Sequence, residues 1–277
     1  MLNYQKDPWK INPLLSGFFN SIFLFPKFFN PDQIGLLRQI ISASTMLIPL
    51  ATFGVSASYI KFYPYFKKEK NEKNAYLTFY LILISFSYLL VISIVNVFQY
   101  EIQNLFTNKS NLLFQHIDTF LLILLFMSLS VLFEAFLKSR FKTVMNNFVN
   151  GVSNRLLTLI SIFLFSFGII NFNEFIKIQS LIYFIGLVIL IIYSYSTEKF
   201  SINFKLKNIK KSISEIINFN SYSFLGAFSS LLVLNVDVLM VTSILGLTQT
   251  GIYTTAFYIG MIIEIPRRAI SQISTPF

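Results

Sequence analysis

Leu181-Ile182-Tyr183-Phe184-Ile185-Gly186-Leu187-Val188-Ile189-Leu190-Ile191-Ile192-Tyr193 carries no charge and belongs to a run, 177–196, whose single charged residue is Lys177 at its edge. A hydrocarbon core of about 30 Å needs about 20 helical residues to cross it, so this run is long enough to span a bilayer. It lacks the alternation of apolar and polar residues that a transmembrane barrel strand requires. The stretch therefore reads as a membrane helix.

Working outward, seven further apolar runs of comparable length lie at about 11–29, 36–61, 76–99, 112–137, 143–170, 222–246 and 250–277. Pro13 and Pro26 interrupt the first, and no small-residue cleavage site follows it, so it reads as a retained helix rather than a signal peptide. Composition agrees: 55% of the 277 residues are hydrophobic, mean hydropathy is +0.65, and 12% are charged. Soluble domains average about 25% charged residues. With no Cys and one His, disulfides, thiolate metal sites and Cys nucleophiles are excluded, and His-based catalysis or metal binding is disfavoured. The expected class is all-α, a polytopic membrane helical bundle, with no enzyme chemistry and no cofactor.

The net charge of +10 says less than its placement. Segments 61–75, 138–142 and 197–211 hold thirteen Lys and Arg residues, while the intervening loops hold Lys27, Lys109 and Lys177, with Arg38 just inside the next helix. The positive-inside rule makes the lysine-rich side, and the N-terminus with it, cytoplasmic. The lysines read as anchors on anionic membrane lipids, not as a nucleic-acid surface. Residues 199–220 read as an amphipathic stretch along the inner surface, dividing the chain into a six-helix bundle (1–198), a linker (199–220) and two helices (221–277).

An offset of 216 places Asn30-Pro31-Asp32-Gln33-Ile34-Gly35-Leu36-Leu37 over Gly246-Leu247-Thr248-Gln249-Thr250-Gly251-Ile252-Tyr253, aligning Gly35 with Gly251. Asn30, Pro31 and Gln33 suit the N-cap, N1 and N3 positions of a helix start. Six helices between copies return the second in the same orientation, which implies halves related by an axis along the membrane normal, with a cavity between them.

Phe23-Leu24-Phe25-Pro26-Lys27-Phe28-Phe29 followed by Gly35-Leu36-Leu37-Arg38, then Ile60-Lys61-Phe62-Tyr63-Pro64-Tyr65-Phe66, Asp237-Val238-Leu239-Met240, Gly251-Ile252-Tyr253 and Ile263-Glu264-Ile265-Pro266-Arg267-Arg268 carry a likeness to a known group. Over nearly its whole length the chain resembles polysaccharide-biosynthesis flippases of the multidrug/oligosaccharidyl-lipid/polysaccharide exporter superfamily. The resemblance implies two six-helix bundles around a V-shaped, alternating-access cavity, of which this chain holds the N-terminal six helices and the first two of the C-terminal half. It also implies a bacterial inner-membrane location and, as substrate, an undecaprenyl-pyrophosphate-linked oligosaccharide for cell-surface polysaccharide. A cation-coupled multidrug exporter, using a proton or sodium gradient, and a non-transporting assembly subunit are the alternatives. Against that pattern, 277 residues imply a fragment of a longer protein.

Charges at bilayer depth cost at least about 2.5–3.5 kcal/mol each and normally face the bundle interior or water. Arg155 lies about 18 Å along its helix, too deep to snorkel easily, and is the first candidate cavity cation. Asp237 is the candidate anion, either paired with Arg155 or titrating during transport. Glu264, Arg267 and Arg268 share a helix face across the kink expected at Pro266, where the arginines suit a pyrophosphate and Glu264 suits either coupling or pairing. Arg38 reads as an interface anchor or a substrate contact. His116 with Asp118 forms a candidate protonatable pair, Glu134 with Lys138 a structural i, i+4 pair, and Pro49 with Gly54 a bend.

Overall fold

The structure, a computed structural model, describes residues 19–67, 69–105, 115–205 and 213–274, with side chains in the last helix described through Met261. Among the described residues there is no strand, and six helices are long and apolar enough to cross a membrane. A π-helical turn, Phe19–Leu24, runs into α1 (Phe25–Phe28). Then come α2 (Pro31–Thr52), α3 (Val55–Phe66), α4 (Lys70–Val97), α5 (Gln99–Leu105) and α6 (Ile117–Lys138). α7 (Val144–Phe148) passes through a second π-helical turn, Val149–Ser153, into α8 (Asn154–Ser166). α9 (Phe172–Thr197), α10 (Ile213–Leu245) and α11 (Leu247–Ser274) complete the chain.

The helix starts follow local chemistry. Pro31 occupies the first turn of α2, where its missing N–H costs nothing, and Gln33 Oε1 accepts the Asn30 amide at 3.0 Å. Asn171 and Glu174 form a full capping box at α9. The bend expected near Pro49 and Gly54 falls where α2 gives way to α3. Phe53 and Gly54 both adopt left-handed backbone there (φ 46° and 72°), and a Cβ on Gly54 would lie 2.5 Å from the Asn220 carbonyl oxygen of α10. Phe53 stacks on Phe224 beside it at 5.9 Å.

The lysine- and arginine-rich segments converge on one end of the bundle, the basic end. Glu198, just past α9, takes Lys73 from α4 and Arg140 from the loop after α6 (Nε to Oε2 2.6 Å). Arg140 also lies over the rings of Phe136 (3.4 Å) and Tyr63 (4.3 Å), and Lys61 sits 3.8 Å from the Phe219 ring. Several of the lysines and arginines read as lipid anchors thus hold helix ends together as well.

The stretch expected to lie as an amphipathic segment over 199–220 takes another form where it is described. Residues 199–205 are not helical, and Ser201 and Asn203 bond to the polar face of α4: Asn74 Nδ2 donates to Ser201 Oγ (2.8 Å), and the Asn203 amide donates to Thr78 Oγ1 (3.0 Å). From Ile213 the chain is already α10, so 213–220 extends the membrane helix, and α10 starts nine residues before the expected 222.

The offset of 216 reappears as symmetry. Gly35 meets the backbone of Leu247, and Gly251 meets that of Pro31; a Cβ on either glycine would fall well inside van der Waals contact with the facing carbonyl. Because 31 and 35 shifted by 216 give 247 and 251, the contacts are reciprocal, as at a two-fold interface. α2 and α11 both start at this far end and run in the same direction, so the axis lies along them.

Candidate functional site

Both π-helical turns point at one cavity of about 440 Å³, within the roughly 300–1,000 Å³ of ordinary ligand pockets. A π turn widens a helix by one residue and turns side chains out of register, and here the turns present Asn20 on one wall and Asn150, Asn154 and Arg155 on the other. Thr158 lies one turn beyond Arg155, α9 contributes Gln179 and Tyr183, and Tyr258 and Met261 come from α11, so both copies of the repeat wall the cavity. Gly186 leaves room for Asn154: a Cβ there would lie 2.9 Å from Asn154 Oδ1.

Arg155 stands at mid-span, eleven residues, about 16 Å, from Val144. Its backbone carbonyl accepts a hydrogen bond from Asn20 Nδ2 (3.1 Å), while its own Nη1 is buried without a hydrogen-bond partner among the described residues. Asn20 Oδ1 and Asn154 Oδ1 are buried and unpartnered as well. No carboxylate lines the cavity among the described residues, and Arg155 forms no ion pair with a described acidic group.

Asp237 is accordingly not the partner of Arg155. It lies eight residues from Leu245, about 12 Å from the far end of α10, where Tyr253 donates to Oδ2 and the Val238 amide donates to Oδ1 (2.8 Å). Arg38 is half-buried and is not among the residues that line the cavity. Its Nη1 donates to the Tyr258 hydroxyl (3.3 Å), its guanidinium lies 5.5 Å from the Tyr258 ring and 5.7 Å from the Phe257 ring, and its Nε is buried without a partner. It backs a cavity residue across the two copies. The side chains of Glu264, Arg267 and Arg268 lie outside the described residues; the helix itself continues through Pro266 to Ser274.

His116 and Asp118 form no ion pair, and burial, with Lys177 nearby, holds the His116 imidazole below its ordinary value. Glu134 and Lys138 do pair, at 3.2 Å, and Glu134 Oε1 also accepts Asn150 Nδ2 at 2.7 Å, which fixes one cavity side chain. The uncharged residues Asn20, Asn154, Gln179 and Tyr258 escape a reading of the sequence that follows charge. Their available signal is the i, i+4 spacing of Asn146, Asn150 and Asn154 within an apolar run.

No curated protein and no solved structure matches the chain. The pattern of one family does, over residues 20–273, and that range takes in both cavity walls and both copies of the repeat. With a helical, multi-pass membrane bundle behind it, this match establishes that the chain belongs to the polysaccharide biosynthesis protein family, which includes flippases of the multidrug/oligosaccharidyl-lipid/polysaccharide exporter superfamily.

Proposed function

We propose that the protein is a flippase that carries a lipid-linked oligosaccharide, joined to undecaprenyl by pyrophosphate, across the bacterial inner membrane for cell-surface polysaccharide. One observation carries the reading: a cavity walled by both copies of the repeat is lined by a mid-span arginine that forms no ion pair with a described acidic group, with no carboxylate among the described lining residues. A half-buried cation at mid-span without a counter-ion is costly, and an anion entering the cavity lowers that cost. The guanidinium fork suits phosphoryl oxygens. A cationic drug would meet a charge of its own sign, which disfavours the multidrug-exporter reading. The positive-inside rule makes the basic end cytoplasmic, so the cavity loads from the inner leaflet and the far end opens outward. Glu264, Arg267 and Arg268 are proposed as further contacts on the α11 side.

The test is Arg155→Ala in the intact gene, following surface polysaccharide and protein abundance together. Export should fall by at least tenfold at unchanged abundance, the order expected for loss of a charged contact worth about 1.5–3 kcal/mol, with Arg155→Lys in between. Full export at normal abundance refutes the role of Arg155.

A further inference from the structure

Two loops at the basic end present apolar side chains where a water-facing loop would present polar ones. In 199–205, Ser201 and Asn203 are tied to α4: Asn74 Nδ2 donates to Ser201 Oγ, the Asn203 amide to Thr78 Oγ1, and Asn203 Nδ2 to the Asn71 carbonyl (3.2 Å). The alternate residues, Ile202 and Phe204, are 68% and 73% exposed. This segment thus turns its polar side inward and its apolar side outward, with Lys199 and Lys205 exposed at its ends. Its partners from Asn71 to Thr78 cover about 10 Å at the start of the span that α4 makes, the depth at which interfacial segments bury their apolar faces. The loop after α6 reaches the same result by another route. There the Lys142 amide donates to the Leu137 carbonyl (2.9 Å) and the Phe141 amide to the Lys138 carbonyl (3.0 Å), a helix closure whose left-handed position glycine ordinarily takes. Phe141 holds that position instead (φ 58°), at a cost for any residue with a Cβ. It is 94% exposed beside exposed Lys142, so packing within the described chain does not account for it. Arg140 on Glu198 fastens the two loops together, and Lys142, Lys199 and Lys205 form no ion pair with a described acidic group.

We propose that these two loops form a foot set into the membrane leaflet at the basic end, with Phe141, Ile202 and Phe204 among the acyl chains and Lys142, Lys199 and Lys205 on the phosphates of anionic lipids. Lysine anchoring alone would need no apolar side chain turned outward. The depth on α4 and the pairing of apolar side chains with unpartnered lysines on both loops match an anionic headgroup layer over acyl chains. Insertion of the Phe141 ring offsets the cost of its backbone. The foot is independent of what the cavity carries.

The experiment uses the full chain, which has no native cysteine. Phe141→Cys, Ile202→Cys and Phe204→Cys are spin-labelled one at a time and reconstituted in vesicles of phosphatidylcholine with phosphatidylglycerol. Each label is read for relaxation by oxygen, which concentrates among acyl chains, and by a water-soluble nickel chelate. Labels on both loops should relax with oxygen and be shielded from the chelate. A loop whose labels are open to the chelate overturns the foot. Shielding from both reagents overturns it too, and identifies a protein cover instead of lipid. In nanodiscs, adding phosphatidylglycerol to phosphatidylcholine should raise the thermal midpoint of the unmodified chain by a few degrees, and Lys142→Gln, Lys199→Gln and Lys205→Gln together should remove much of that rise. No rise, or a rise unmoved by the three substitutions, overturns the lysine contacts. If Phe204→Cys fails to fold, as judged by thermal unfolding, Ile202→Cys reads that loop.

Discussion

Asp32 and Thr248, 216 residues apart, hydrogen-bond to each other at the start of α2 and α11. They are the same position in the two copies of the repeat, so the symmetry axis passes between them, and Gly35 and Gly251 close on opposite sides of it. Alternating access by rocking of the two halves would have to part this pair whenever the far end opens.

The chain has no native cysteine, so Asp32→Cys with Thr248→Cys can be read without background. Mild oxidation should produce one intramolecular disulfide, visible as a mobility shift, and should stop export until reductant is added. Cross-linking that leaves export untouched would show that the far end moves elsewhere.

Gly54 tests the break between α2 and α3. Alanine there would hold a left-handed φ of 72° and place its Cβ 2.5 Å from the Asn220 carbonyl of α10. Strain of about 1–2 kcal/mol from the backbone and about 1–3 kcal/mol from the overpacking predict a clear drop in thermal midpoint in detergent. Ala57, elsewhere on α3, is a control site where Ala57→Ser should shift the midpoint much less.

The Glu198 carboxyl should give the basic end a pH dependence. Burial pushes its pKa up, but hydrogen bonds from Lys73 and Arg140 outweigh that and hold it below the ordinary carboxylate range. For a depressed carboxylate, the unfolded chain takes up protons first as pH falls. The stabilisation is therefore complete above about pH 4.5 and is lost as pH drops through the lower folded value. Glu198→Gln should lower the midpoint at pH 7 and flatten its decline between about pH 5 and 3; thermal unfolding across that range is the measurement. The 198–205 segment, anchored next to this residue, should at the same time become more accessible to protease.

Asp237, held by Tyr253, is proposed as the coupling carboxylate for a proton or sodium gradient. Asp237→Asn should make substrate movement in proteoliposomes insensitive to the imposed gradient, while Arg155→Ala should slow movement at least tenfold at any gradient. Gradient dependence unchanged in Asp237→Asn would remove it from that role.

How much of this was legible in the sequence depends on how local the cause is. Apolar runs and cap residues such as Asn30 and Asn171 act over a few positions, and helices stand where they point. The depth of Arg155 follows from counting 1.5 Å per residue, and the cavity is where that count places it. The position of Arg38 is not countable in this way, because the rings that enclose it, Phe257 and Tyr258, come from 219 and 220 residues later. The partner of Asp237 is likewise not countable, because Tyr253 comes from the next helix. The π-helical turns leave no periodic trace, since one inserted residue in a uniformly apolar run changes no pattern, yet they aim the asparagines into the cavity.

At the far end, Phe29 stacks on Phe165 at 4.5 Å and leans on Phe175 at 4.7 Å, with Phe25, a cavity residue, 5.4 Å behind it. None of these rings offers a proton carrier or an ion ligand. Under the proposed transport cycle, this apolar cluster would hinder ions from passing between the cavity and the far end for as long as the rings stay together. In that same proposal, the rings would also offer a polyprenyl tail an apolar surface at the far end.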